Sequence, residues 1–200
     1  MSRIEPFSVK SLLAVMLSIA LLTPAIAANT ISSGDKLAVD AKKQIGVTTS
    51  YDPTYRKLDF PRGDVAQNTG VCTDVVVRAY RLQNIDLQQL INVDMKANFS
   101  AYPKIWGLKS TDKNIDHRRV PNIETYLERH GQSLSMTDKD SFKTGDIVSW
   151  RLPNSNLPHI GVVSDKSADD GTPLIIHNIG RGTQEENILF AYPIHGHYRY

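Results

Sequence analysis

A single cysteine, Cys72, stands in a chain of 200 residues. That scarcity excludes an intramolecular disulfide, and with it a dithiol redox centre, which needs a resolving thiol. Long apolar runs are lacking too. The longest, Ser11 to Leu22, falls well short of the ~20 residues that span a bilayer. An excess of one charge is also missing, with 23 basic and 21 acidic residues. Without a basic stripe interleaved with aromatics, nucleic-acid binding is not expected. No internal repeat or low-complexity linker divides the chain.

The first residues carry a leader pattern. Arg3 and Lys10, with Glu5 against them, precede the short apolar run; Pro24 breaks it, and Ala25-Ile26-Ala27 is a small-x-small cleavage site. The expectation is a signal peptide over residues 1–27, cleaved after Ala27, and one domain over 28–200 in the periplasm or secreted. No cysteine near the cleavage point offers a lipid anchor, and no later apolar run approaches membrane-spanning length, so no membrane insertion is expected after cleavage. In such an oxidising compartment an unpaired thiol is worth treating as reactive.

The first half of the domain reads helical. Ser33 and Asp35 suit the cap of a helix with Leu37, Ala38, Ala41 and Ile45 on one face. A turn-rich loop runs from Tyr51 through Tyr55 and Pro61 to Gly70. Cys72, Val75, Val76 and Ala79 then recur at helical spacing, placing Cys72 in a first turn and facing inward. Asp86 caps a further helix to about Phe99, residues 100–120 are irregular, and Pro121 to His130 forms a helix stopped by Gly131. The second half reads as strands: Ile147–Trp150, His159–Val163, Leu174–His177 after the Asp170-Gly171 turn, and a last one from about Asn187 to the end. Helices followed by an antiparallel sheet indicate an α+β fold.

That order allows Cys–His chemistry. A helix N-terminus contributes at most ~2 kcal/mol, or roughly 1.5 pKa units, and so leaves a thiol near half-ionised at neutral pH. A nearby imidazolium must supply the rest, so the expected pair is an ionised Cys72 sulfur and a protonated ring. His159, held by Pro158 and sharing a strand face with Gly161 and Val163, is the candidate base; Gly161 leaves room on that face for a helix or substrate. A third group should orient the imidazole. His177 is favoured and Asn178 is the alternative, since alternation lets only one face the site. Each residue also has a plain structural role open to it: a small buried hydrophobe for Cys72, a satisfied strand histidine for His159 or His177.

Other residues are weighed beside these. Asp74 is read as complementing the helix N-terminus and pairing with Arg78 one turn on. In the charge-dense stretch Asn114 to Asn122, Arg118 and Arg119 are candidate forks for a substrate carboxylate, against a salt-bridged loop. Tyr51 and Tyr55 are candidate oxyanion donors, against simple packing. His195 and His197 would share a strand face, but without a carboxylate or thiol partner no metal is expected, nor any cofactor.

With Cys72, His159 and His177 in order, the chain resembles the NlpC-type cell-wall cysteine peptidases, which have a papain-like fold. It is more closely similar to the bacterial family known as domain of unknown function 1287. The residues carrying that likeness are Gly70-Val71-Cys72-Thr73-Asp74-Val75-Val76-Val77-Arg78, Trp106-Gly107-Leu108, Asn114 through Asn122, Gly145-Asp146-Ile147-Val148-Ser149-Trp150, Pro158-His159-Ile160-Gly161-Val162-Val163, His177-Asn178-Ile179-Gly180 and Gly196-His197-Tyr198-Arg199-Tyr200. The wider resemblance implies a nucleophile at Cys72, a base at His159, a third polar residue at His177, and an amide bond of a peptidoglycan stem peptide as substrate. Thr73-Asp74 stands where those enzymes usually carry Ser-Gly. The expectation is a monomeric thiol hydrolase or acyl transferase acting on a peptide or peptidoglycan fragment. The alternative is a non-catalytic cell-wall or partner-binding module on the same fold.

Overall fold

A computed structural model describes Met1 and residues 33–200. Apart from Met1, the expected leader and its cleavage point lie outside the described residues. Those from Ser33 onward belong to one compact unit, Ile31–Tyr200. Helix α1 (Ser33–Lys42) leads to a short parallel pair, β1 (Ser50–Tyr51) and β2 (Thr69–Gly70). Helices α2 (Cys72–Leu82), α3 (Leu87–Ala97) and α4 (Val120–His130) follow. Strands β3 (Gln132–Ser133), β4 (Ile147–Arg151), β5 (Pro158–Ser167), β6 (Pro173–Asn178), β7 (Thr183–Glu186) and β8 (Ile194–Arg199) make one antiparallel sheet in the order β3-β8-β4-β5-β6-β7. Among the described residues no helix is long and apolar enough to cross a membrane.

Alternation along the strands divides the core. Ile147, Ile160, Val162, Ile176 and Tyr198 point to the helices, where they pack with Leu37, Val75, Val76, Leu87, Ile91, Ile123 and Leu127. Val148, Trp150, Val163 and Ile175 point the other way, onto Phe142 and Leu189. Each large apolar side chain so buried contributes about 1.5–3 kcal/mol. Trp150 settles its indole N–H on the Leu189 carbonyl at 2.9 Å, as a buried donor requires.

Helix α2 is the centre of the molecule, and the one-faced pattern expected of it is incomplete. Its polar face is buried as well, through Thr73, Asp74 and Arg78. Arg78 pairs with Asp64 rather than with Asp74, and also donates to Thr48 Oγ1 and the carbonyls of Val65 and Ala66. The loop before the helix thus folds back over it and satisfies Arg78, while Asp74 takes Arg118 from a later segment.

Other boundaries also move. Ile45 lies beyond the end of α1 and is exposed. Helix α3 stops at Ala97, before a 3-10 turn at Phe99–Ala101. The expected irregular stretch holds a second such turn at Asp116–Arg118. The last strand begins at Ile194, and β7 was not expected. Its Thr-Gln-Glu-Glu has no apolar residue to announce it; it is an edge strand held by pairing with β6.

Candidate active site

Cys72 is the first residue of α2 and only 4% exposed. Asp74, two residues on, accepts the Val71 N–H at 2.7 Å, the carboxylate half of a capping box. This pins the turn that presents the sulfur. The N–H groups of Ile160, Thr73 and Cys72 itself favour its charged form, but burial outweighs them, Asp74 adds to it, and the thiol is pushed up to about 12. The thiolate expected from the helix end together with a neighbouring imidazolium is therefore not the resting state, because desolvation opposes the charge on both groups.

The sulfur borders a cleft of about 340 Å³, within the usual range for ligand sites. Tyr51, Trp106, Arg118, Arg119, Leu157 and Pro158 are among its walls. Leu157, 60% exposed, stands at the hairpin leading into β5.

His159 is the second residue of β5 and 2% exposed. It pairs across with Trp150 and so shares that residue's sheet face, whereas Cys72 belongs to the helix-side core. At the start of β5 the residues on either side of His159 meet the thiol: Pro158 lines the same cleft and the Ile160 N–H faces the sulfur. Among the described residues no hydrogen bond joins the thiol to the imidazole. Burial, and then His177, lower His159 to about 3, so its ring is neutral.

The structure brings His177 to His159, with His159 Nε2 and His177 Nδ1 2.9 Å apart and the rings edge to face. Gly161 makes this contact possible. A Cβ there would stand 2.6 Å from Ile175 Cγ2 and 3.2 Å from His177 Cβ. The space expected for a helix or substrate is thus occupied by the neighbouring strand. Asn178 faces elsewhere: it donates to the carbonyls of Gly70 at 3.1 Å and Ser50 at 3.3 Å, tying β6 to the segment before the nucleophile. Glu186, which sequence reasoning passed over, lies with Oε2 3.0 Å from His177 Nε2 and takes Arg181 on its other oxygen. The only signal for it was a charged residue soon after the Gly180-Arg181-Gly182 turn.

The two arginines part company. Arg118 is buried in a two-pronged pair with Asp74 and donates to the carbonyls of Asp52 and Thr54, leaving little for a ligand. Arg119 lies 4.1 Å over the Trp106 ring and reaches Asp116 only at 3.4 Å, so donors remain toward the cleft. The tyrosines divide as well. The Tyr51 hydroxyl lies beside the thiol and is raised to about 12 by burial, then by the negative charge of an ionised Cys72 and of Asp74. Tyr55 is exposed, outside the cleft lining, donating to Asp112 and accepting from Asn114. His195 and His197 do not share an environment. A register shift beside Trp150 leaves His195 exposed, while buried His197 bonds the Ser135 carbonyl and Asp146. Among the described residues no group of three or more His, Cys, Asp or Glu is placed to hold a metal ion.

The model of the family described as "Domain of unknown function (DUF1287)" matches residues 38–200. "Uncharacterized protein YijF" of Escherichia coli (strain K12) is 52% identical over 195 residues, 95% of each chain. Among solved structures, NlpC1 from Trichomonas vaginalis is similar at 17% identity and a TM-score of 0.46, over 84% of this chain and 44% of that one. NlpC2 from the same organism is similar at 13% and 0.45, over 86% and 48%. The chain therefore spans less than half the length of those two structures.

Proposed function

The chain belongs to the DUF1287 family, and we propose that it is a periplasmic cysteine-dependent hydrolase, or acyl transferase, acting on an amide bond of peptidoglycan stem peptides. One observation carries this reading: the lone thiol opens a buried helix beside the start of the strand bearing His159, whose ring is held by His177 at 2.9 Å. A nucleophile, a base and an orienting group in that order are what acyl transfer through a thioester needs.

With both groups neutral at rest, His159 acts as a general base during attack. It takes the thiol proton as sulfur bonds the carbonyl carbon, and the carbonyl becomes an oxyanion. The N–H groups at the start of α2 and the Tyr51 hydroxyl stabilise that charge. His159 then passes its proton to the leaving amine, and the C–N bond breaks to leave a thioester. Water, giving up a proton to His159, attacks the thioester; the carboxylic acid leaves and the thiol is restored. An amine in place of water gives transfer. Arg119 would hold a substrate carboxylate in the cleft, against the apolar walls of Trp106, Leu157 and Pro158.

The burial of the sulfur favours a second reading, a cell-wall-binding module without turnover. Incubation of residues 28–200 with muropeptides of defined stems, read by mass spectrometry, separates the two. The hydrolase reading expects two product masses, absent with Cys72→Ala. Intact muropeptides that remain bound to both proteins would support the binding module instead.

A further inference from the structure

We propose that Glu186 is a positioning residue, acting through His177 to keep the basic lone pair of His159 on Nδ1; this rests on the reading of His159 as the base. Strand β7 pairs Glu186 with Ile175 and Gln184 with His177. Glu186 therefore shares a sheet face with His177 and reaches its ring diagonally. An ionised carboxylate only accepts hydrogen bonds, so at 3.0 Å the proton between the two belongs to His177 Nε2. A neutral imidazole has one N–H, which leaves His177 Nδ1 as an acceptor. The 2.9 Å contact then requires His159 to donate from Nε2. Its own lone pair is left on Nδ1, the nitrogen that makes no hydrogen bond among the described residues.

Without the carboxylate that assignment is lost. His177 can carry its proton on Nδ1 and donate to His159 Nε2. His159 must then hold its proton on Nδ1, and it has no lone pair there with which to accept from the thiol. The carboxylate also opposes the burial that disfavours a charged His177, as it would for the imidazolium formed next door during attack. The charged or titratable groups on this relay are His159, His177, Glu186 and Arg181, with Arg181 fixing the second oxygen of Glu186. A mere surface salt bridge between β7 and its hairpin would not dictate a tautomer two rings away.

The test is ¹⁵N NMR of the histidine rings at pH 7, together with the alkylation rate of Cys72. In the unmodified protein both His159 and His177 should carry the proton on Nε2. Glu186→Leu should move His177 off that tautomer and slow alkylation by on the order of 10- to 100-fold, the scale on which a lost carboxylate partner of a metal-bound histidine lowers activity. Glu186→Gln can turn either its oxygen or its NH2 to His177 Nε2 and carries no charge, so its tautomer and rate should fall between those of the unmodified protein and Glu186→Leu. A proton on Nδ1 of His159 in the unmodified protein overturns the proposal, and needs no variant to be seen. So does Glu186→Leu with both tautomers and the rate unchanged. Failure of the base assignment has a separate signature, alkylation that ignores replacement of His159 while the tautomers stay as assigned.

Discussion

Asp74 and Arg118, 44 residues apart in sequence, form a buried pair beneath the nucleophile, with Nε to Oδ1 and Nη2 to Oδ2 both at 3.0 Å. Asp74 also accepts the Val71 N–H, and Arg118 also holds the carbonyls of Asp52 and Thr54. One guanidinium thus clamps the loop carrying Tyr51 to the start of α2. Removing one partner of such a pair strands a charge and costs about 3–5 kcal/mol. Arg118→Ala should lower the urea midpoint accordingly, and adding Asp74→Ala should cost less than the sum of the two single changes. Arg119→Ala should leave the midpoint in place and raise KM for a carboxylate-bearing substrate. A stable Arg118→Ala protein with only a raised KM would assign the arginines the other way round.

Gly161 is required by the close passage of β6. The Cβ of an alanine would stand 2.6 Å from Ile175 Cγ2 and 3.0 Å from the Ile176 carbonyl. Gly161→Ala should destabilise the protein by about 1–3 kcal/mol, the usual cost of overpacking, and displace His177 from His159. Unchanged thermal stability, with the ring contact intact by NMR, would contradict this.

Tyr51 bears on chemistry more than on folding, since its ring is partly exposed at the cleft. Tyr51→Phe should lower kcat by about 10²-fold, the scale of one lost oxyanion donor, with little change in Tm. Tyr55→Phe, whose hydroxyl serves Asp112 and Asn114, is the control and should leave kcat unaltered. Equal effects from the two would remove Tyr51 from the site.

His117 provides a pH signature away from the cleft. Burial and the neighbouring Arg118 and Arg81 lower it to about 3, whereas an unfolded histidine titrates near 6.5. Between those values the unfolded chain binds the extra proton, so stability falls as pH falls, by up to about 1.4 kcal/mol per pH unit for one proton. Asp116, raised to about 6 by burial, contributes in the opposite sense, so the comparison between variants is the informative one. Urea midpoints should decline more steeply from pH 6 to pH 4 in the unmodified protein than in His117→Gln. Parallel slopes would show that His117 is protonated in the fold.

Much of this arrangement was legible in the residues. Spacing placed Cys72 at a helix start, and apolar runs with turn signals located β4, β5 and β6, hence His159 and His177 on neighbouring strands. What escaped has physical causes. β7 has no apolar residue, and Glu186 went with it. The partner of Asp74 sits 44 residues away, beyond any local helical rule. Helix periodicity reported the apolar face of α2 but not the burial of its charged one. The expected ionised thiol counted the helix end and the imidazole and left out desolvation, which for Cys72 is the largest influence.

The central claim is that His159 takes the proton of Cys72, and the rate of Cys72 alkylation against pH tests it most directly. With the imidazole at about 3 and the thiol at about 12, the neutral pair that reacts through proton transfer persists between those limits. The rate in the unmodified protein should therefore be flat from about pH 4 to about pH 10, whereas in His159→Asn it should climb about tenfold per pH unit, as hydroxide alone ionises the thiol. The same tenfold climb in both proteins would contradict the claim.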